Sequence, residues 1–137
     1  MNADVLNFTP LQRTVGLLRG GWTRYRLDVT DTQIRDGLVH RFEVAYDVSR
    51  KMLKRFLEVT SANPAELDAM PLQDQIRSGN EQGLLRGDWP TWRKYRDMRG
   101  KTIHSCSENV ALQVVECIPD FIEEAANLSQ RLNGTDA

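Results

Sequence analysis

Between Ile34 and Val59 the side chains of Ile34, Leu38, Phe42, Ala45, Val48, Met52, Phe56 and Val59 recur every three or four residues, with Val44 and Leu53 widening the stripe. That period places them on one face of an α-helix, and no stretch of the chain alternates with period two for long. Thr30 or Asp31 can cap the helix at its amino end, and Ser61-Ala62-Asn63-Pro64 stops it near Thr60. At 1.5 Å per residue such a helix spans about 42 Å. An apolar stripe of that length has to be covered by other helices, so the spacing predicts an all-α chain.

The remaining elements fit that demand. Leu11, Val15, Leu18, Trp22 and Tyr25 form the stripe of a first helix from about Thr9 to Asp28. Gly20-Gly21 weakens it by about 1 kcal/mol per glycine relative to alanine and marks a place for it to bend or split. Residues 61–71, with Pro64 and Pro71, read as a connector, and Pro71 can begin a short helix ending near Gly79 or Gly83 with Leu72 and Ile76 inward. After the Gly83–Asp88 turn, Asp88 and Pro90 open a fourth helix from about Trp89 to Arg99, with Gly100 as its stop. Ser105-Cys106-Ser107-Glu108 matches a Ser-x-x-Glu capping box, so a final helix starts at Ser105 or Ser107. Its stripe is Val110, Val114, Cys117, Phe121, Ala125, Leu128 and Leu132, with a kink expected at Pro119 and a frayed tail over residues 133–137. The expectation is an antiparallel up-and-down four-helix bundle with an additional short helix, one domain over residues 1–137 with its core at about 8–132.

The chain carries 18 Lys and Arg against 19 Asp and Glu, which argues against a sequence-blind nucleic-acid coat, since those are strongly basic. The charge is nevertheless uneven: residues 86–101 hold six cations and two aspartates, and residues 108–137 hold six acids and one arginine. The two stretches can attract one another within a protomer or across a dimer, or the basic one can hold a phosphate. Cys106 and Cys117, eleven residues apart on one helix, would stand roughly 16 Å apart, too far for a disulfide. They read as reduced thiols of a cytoplasmic protein. No signal peptide opens the chain, and no stretch approaches the roughly 20 apolar residues that span a membrane.

Zinc-type chemistry has no ligand pattern here, with His40 and His104 far apart in sequence and no paired His-x-x-x-His. No Gly-rich phosphate loop is present, and no cofactor is expected. Cys106 lies near a helix start that would activate a thiol, although neighbours in sequence such as His104 and Cys106 rarely have the geometry of a working dyad. Arg99 and His104 carry more. Trp92, Tyr95 and Arg99 share one side of the fourth helix, so the arginine continues an aromatic stripe and needs a partner or a wet cleft. On one unbroken helix Arg99 and His104 would diverge by about 140°. A stop at Gly100 leaves both at a junction, with His104 just before a helix amino end that can hold a phosphate. A guanidinium gripping a phosphate and an imidazole taking a ribose 2′-hydroxyl proton are the parts needed for RNA cleavage without a metal. The plainer reading has Arg99 paired with Glu108, Glu43 or Asp47, His104 as a capping residue, His40 as a packed or surface residue, and the Trp89/Trp92/Tyr95 stripe as core.

The run Ile34-Arg35-Asp36-Gly37-Leu38-Val39-His40-Arg41-Phe42-Glu43-Val44-Ala45-Tyr46-Asp47, then Lys51-Met52-Leu53-Lys54, resembles the signature of the nucleotidyltransferase substrate-binding protein family. Gln75-Ile76-Arg77, Gly83-Leu84-Leu85, Asp88, Trp92 and Arg99-x-x-x-x-His104 with Glu108 follow in the family's order, so the resemblance covers roughly residues 10–130. It implies a helical bundle of the HEPN group, a homodimer, and a minimal nucleotidyltransferase as partner. For Arg99 and His104 it implies the active site of a metal-independent endoribonuclease, the toxin of a toxin–antitoxin pair. By their charge, Arg93, Arg96 and Lys101 would then draw in RNA, with Glu43, Asp47 and Glu108 as candidate support. The other role it leaves open is a non-catalytic subunit presenting a substrate or nucleotide to the nucleotidyltransferase. The chain departs from the family's pattern at Gly100, where asparagine is usual, at Cys106, where a tyrosine that accepts AMP is usual, and at Ser107, where Asp or Asn is usual.

Overall fold

The structure, a computed structural model, describes residues 7–105 and 107–134. Its elements are helices: α1 (Thr9–Leu27), α2 (Thr32–Thr60), α3 (Ala65–Asp68), α4 (Leu72–Glu81), α5 (Trp89–His104) and α6 (Glu108–Gly134). Asp31 caps α2 as its side chain accepts the backbone N–H groups of Gln33 and Ile34. α2 is the hub, packing against α1, α6, α5, α4 and α3. Two contacts per helix pair fix the directions: Leu17 meets Arg41 and Gly21 meets Leu38, Arg35 meets Glu108 and Tyr46 meets Phe121, and Tyr95 meets Asp120 and Lys101 meets Gln113. α1 and α5 therefore run one way and α2 and α6 the other, the up-and-down bundle expected, with α4 as the short extra helix and α3 a single turn inside the connector.

The core is an aromatic centre wrapped in aliphatic side chains. Phe42, Tyr46, Trp92, Tyr95 and Phe121 are buried, and Phe121 lies 4.9 Å from Tyr95 and 5.2 Å from Phe42, edge to face. Edge-to-face pairs add about 0.5–1.5 kcal/mol beyond their burial. The Trp92/Tyr95 stripe is thus core, with Arg99 at its end.

Several sequence expectations change. α1 is one helix through Gly20-Gly21: an added Cβ at Gly21 would lie 3.2 Å from Arg41 Cδ and 3.3 Å from Leu38 Cδ1, so the missing side chain admits α2 rather than breaking α1. Pro119, where a kink is expected, lies inside α6 and does not end it. Most important, α5 does not stop at Arg99. Gly100 sits inside the helix, which runs to His104 and ends where Ser105 turns extended. Glycine in a helix interior costs about 1 kcal/mol, too little to end a helix whose sides are held by Arg99 and Thr102. Ser107 caps α6, its Oγ accepting the Val110 N–H at 3.2 Å, while Ser105 Oγ accepts from Ser107 N in the intervening turn. The capping box across Ser105 and Glu108 does not form, because Glu108 reaches Arg35 instead.

Candidate functional site

α5 carries the candidate residues, and three contacts set its position. At its amino end the buried Glu124 carboxylate of α6 accepts the backbone N–H groups of Arg86, at 2.9 Å, and Gly87, at 2.6 Å. Gly87 is required there, since a Cβ would sit 2.8 Å from Glu124 Oε1. Burial pushes the Glu124 carboxyl above its ordinary range, and the two N–H groups pull in the opposite direction. In the middle of α5, Tyr95 donates to Asp120, and burial together with that carboxylate drives its phenol well above the usual range.

The third contact is Arg99. Its Nε and Nη2 form a fork on the two oxygens of Asp47, at 3.1 and 3.0 Å, and Nη1 donates to Glu43 Oε2 at 3.0 Å and Thr102 Oγ1 at 3.2 Å. The side chain is 22% exposed. The Asp47 fork raises the guanidinium further above its ordinary value, against a smaller opposing effect of burial. Both α2 carboxylates named as partners are therefore engaged. Glu108 is not, since it lies 3.3 Å from Arg35.

His104 lies elsewhere. With α5 unbroken, Arg99 faces α2 while His104 stands exposed at the end of α5, in an open cleft also lined by Arg96, Asp97, Gly100, Lys101, Ser105, Val110 and Gln113. One chain does not bring the arginine and the histidine together at this junction. The helix dipole expectation also inverts, because His104 occupies the carboxyl end of α5 and not the amino end of α6, which begins at Glu108. Lys101 borders the cleft and donates to Gln113 at 2.7 Å. Arg96 borders it too, with its guanidinium carbon 5.2 Å from the Trp89 ring centroid. Arg93 is exposed on the same face of α5 by helical spacing but does not line the cleft.

Sequence reasoning passed over two features here. His40 is a surface residue, as expected, yet its Nδ1 lies 3.5 Å from Glu43 Oε1, one carboxylate away from Arg99. Glu124 gave no signal as a buried acid, because its partners are backbone N–H groups 37 and 38 residues away in a loop. Cys106 lies outside the described residues. Burial pushes the Cys117 thiol up to about 12. Within the described residues no α5 cation lies in ion-pair range of an α6 carboxylate. No group of three or more His, Cys, Asp or Glu among them is placed to hold a metal, and no helix is long and apolar enough to cross a membrane.

Fold and site together define a helical-bundle protein with an Arg-x4-His helix end, its arginine clamped by two carboxylates from the hub helix. The family model described as nucleotidyltransferase substrate binding protein like matches residues 6–134, and the chain belongs to that family. It is 31% identical over 135 residues to the Haemophilus influenzae protein named "Probable ribonuclease HepT", covering 96% of this chain and 92% of that one. A solved structure from the same organism, described as revealing the fold of a substrate binding domain of a nucleotidyltransferase, superposes with a TM-score of 0.85 at 28% identity, over 93% of this chain and 99% of that chain.

Proposed function

We propose that this protein is an endoribonuclease that needs no metal, the toxin of a toxin–antitoxin pair whose other member is a minimal nucleotidyltransferase. The observation that carries the reading is the placement of His104: an exposed imidazole at the end of α5, in an open cleft flanked by Arg96 and Lys101. The similarity to a protein named as a probable ribonuclease supports it. In the reaction, His104 removes the proton from a ribose 2′-hydroxyl. The 2′-oxygen attacks the adjacent phosphorus, the bond to the 5′-oxygen breaks, and that oxygen leaves with a proton from water, the His104 imidazolium returning its own to solvent. The products are a 2′,3′-cyclic phosphate and a 5′-hydroxyl. A guanidinium is needed on the phosphate as charge builds. Arg99 and His104 face different ways within one chain, so the site is completed by two copies meeting at the α5 ends, where Ile103 is 65% and Leu112 46% exposed.

Wild type and His104→Ala, each expressed in a host lacking the partner, test the reading. Wild type should arrest growth and fragment RNA to 2′,3′-cyclic ends, and the variant should do neither. Equal growth and intact RNA for both would sink it.

One observation favours a second reading. Arg99 spends four donor contacts on Asp47, Glu43 and Thr102, as a structural arginine would. The chain would then be a non-catalytic subunit that presents a substrate or nucleotide to the nucleotidyltransferase. Stable co-purification with that enzyme, with no RNA cleavage by the purified dimer, would favour it.

A further inference from the structure

A second basic cleft lies on the other side of the Arg99 clamp. It has a volume of about 380 Å³ and is lined by Asp47, Arg50, Lys51 and Lys54 of α2, Asp68 of α3, Met70 and Gln75. The connector that forms its far wall is pinned, because the buried Gln75 donates to the Met70 carbonyl at 3.1 Å. Among the described residues neither Arg50 nor Lys51 has a carboxylate in ion-pair range, and Lys54 has only a 3.6 Å contact to the largely exposed Asp68. Arg50 holds its guanidinium carbon 5.9 Å from the Tyr46 ring centroid. Asp47 belongs at once to this cleft and to the Arg99 fork. The cleft therefore adjoins Arg99 through a shared carboxylate.

We propose that this cleft holds the phosphodiester backbone of the RNA substrate beyond the cut site, through Arg50, Lys51 and Lys54. The proposal rests on the ribonuclease reading above for the name of its ligand. A polyanion fits the lining better than a protein face does. Protein interfaces are anchored by buried aromatic or aliphatic side chains, whereas Met70 is the one apolar side chain lining this cleft and the exposed large hydrophobic residues lie elsewhere. Three cations on flexible stems over one helical turn, of which only Lys54 has a carboxylate in ion-pair range, match a backbone whose binding is set by charge and not by sequence.

The test is RNA binding measured on a His104→Ala background, so that cleavage plays no part, with a labelled single-stranded RNA across a salt series. Lys51→Glu/Lys54→Glu should bind at least about tenfold more weakly at low salt. Its dependence of log affinity on log salt should be shallower by about 1.4, or 0.7 for each lost phosphate contact. Arg13→Glu/Arg24→Glu, two exposed cations of α1, make the same change in net charge and should bind as the parent does. Circular dichroism and a thermal melt confirm that each variant is folded. Unchanged RNA affinity and slope in the α2 variant would overturn the proposal, and so would an equal loss in the α1 control. Loss of a co-expressed nucleotidyltransferase with RNA affinity retained would overturn it in favour of a protein-binding face. Absence of cleavage by the wild type would sink the nuclease reading and leave this binding comparison intact.

Discussion

At the scale of single residues, Arg99 is the hinge of the interpretation. Its place at the end of the Trp92/Tyr95 stripe announced that it would need a partner, and Glu43 and Asp47 were nameable because they sit one turn apart on the face of α2 that Phe42 and Tyr46 turn inward. That both bind it, one of them through a fork, depends on a packing distance that no spacing encodes. The geometry makes Arg99→Ala and Arg99→Lys distinguishable. Removing the guanidinium leaves two partly exposed carboxylates facing each other, and urea unfolding should register a loss of about 1–2 kcal/mol. Lysine restores the charge without the fork and should recover part of that stability. If Arg99 also grips phosphate, lysine should leave cleavage close to the level of alanine. Parallel recovery of stability and cleavage would mean that the arginine acts only by holding the fold.

Among the elements, α5 and its fastening to α6 decide where the candidate chemistry sits. The helix existed in the sequence from Asp88 and Pro90 onward, but its end did not. Gly100 reads as a stop, and the choice between stop and continuation turns on about 1 kcal/mol set by what the flanking residues grasp. Glu124 was illegible for a related reason, as an acid whose partners are main-chain groups leaves no trace in side-chain pattern. Its carboxyl is raised above the ordinary 4.5 when folded. The unfolded chain therefore releases this proton first, and the stability Glu124 contributes is full below the ordinary value and declines as pH rises through the raised one. Glu124→Gln has no such titration. The gap in unfolding free energy between wild type and variant should be largest near pH 4 and shrink toward pH 7. A gap that widened with pH would mean that the two N–H groups outweigh burial.

For the whole molecule, the bundle was legible in outline because four long amphipathic stripes that must bury one another admit few arrangements. What the sequence did not reveal is that one chain leaves the arginine and the histidine on different faces of α5. Closure of the site by a second copy predicts that Ile103→Glu, a change at an exposed position beside His104, yields a folded monomer in light scattering at micromolar concentration and abolishes RNA cleavage. A monomeric variant with full activity would show that one chain suffices.

The three fastenings of α5 also have a mechanical meaning. Glu124 holds the approach to its amino end, Asp120 its middle and Asp47 its fourth turn, and beyond Arg99 the helix runs on for five residues, about 7.5 Å, with Lys101 touching Gln113 and Thr102 turned back on Arg99. His104 stands at the corner where α5 gives way to α6, and the first residue past the Arg99 fastening is glycine. A shift of this last turn would move the imidazole while the aromatic centre stays packed, so the position of His104 and the stability of the bundle are separable quantities.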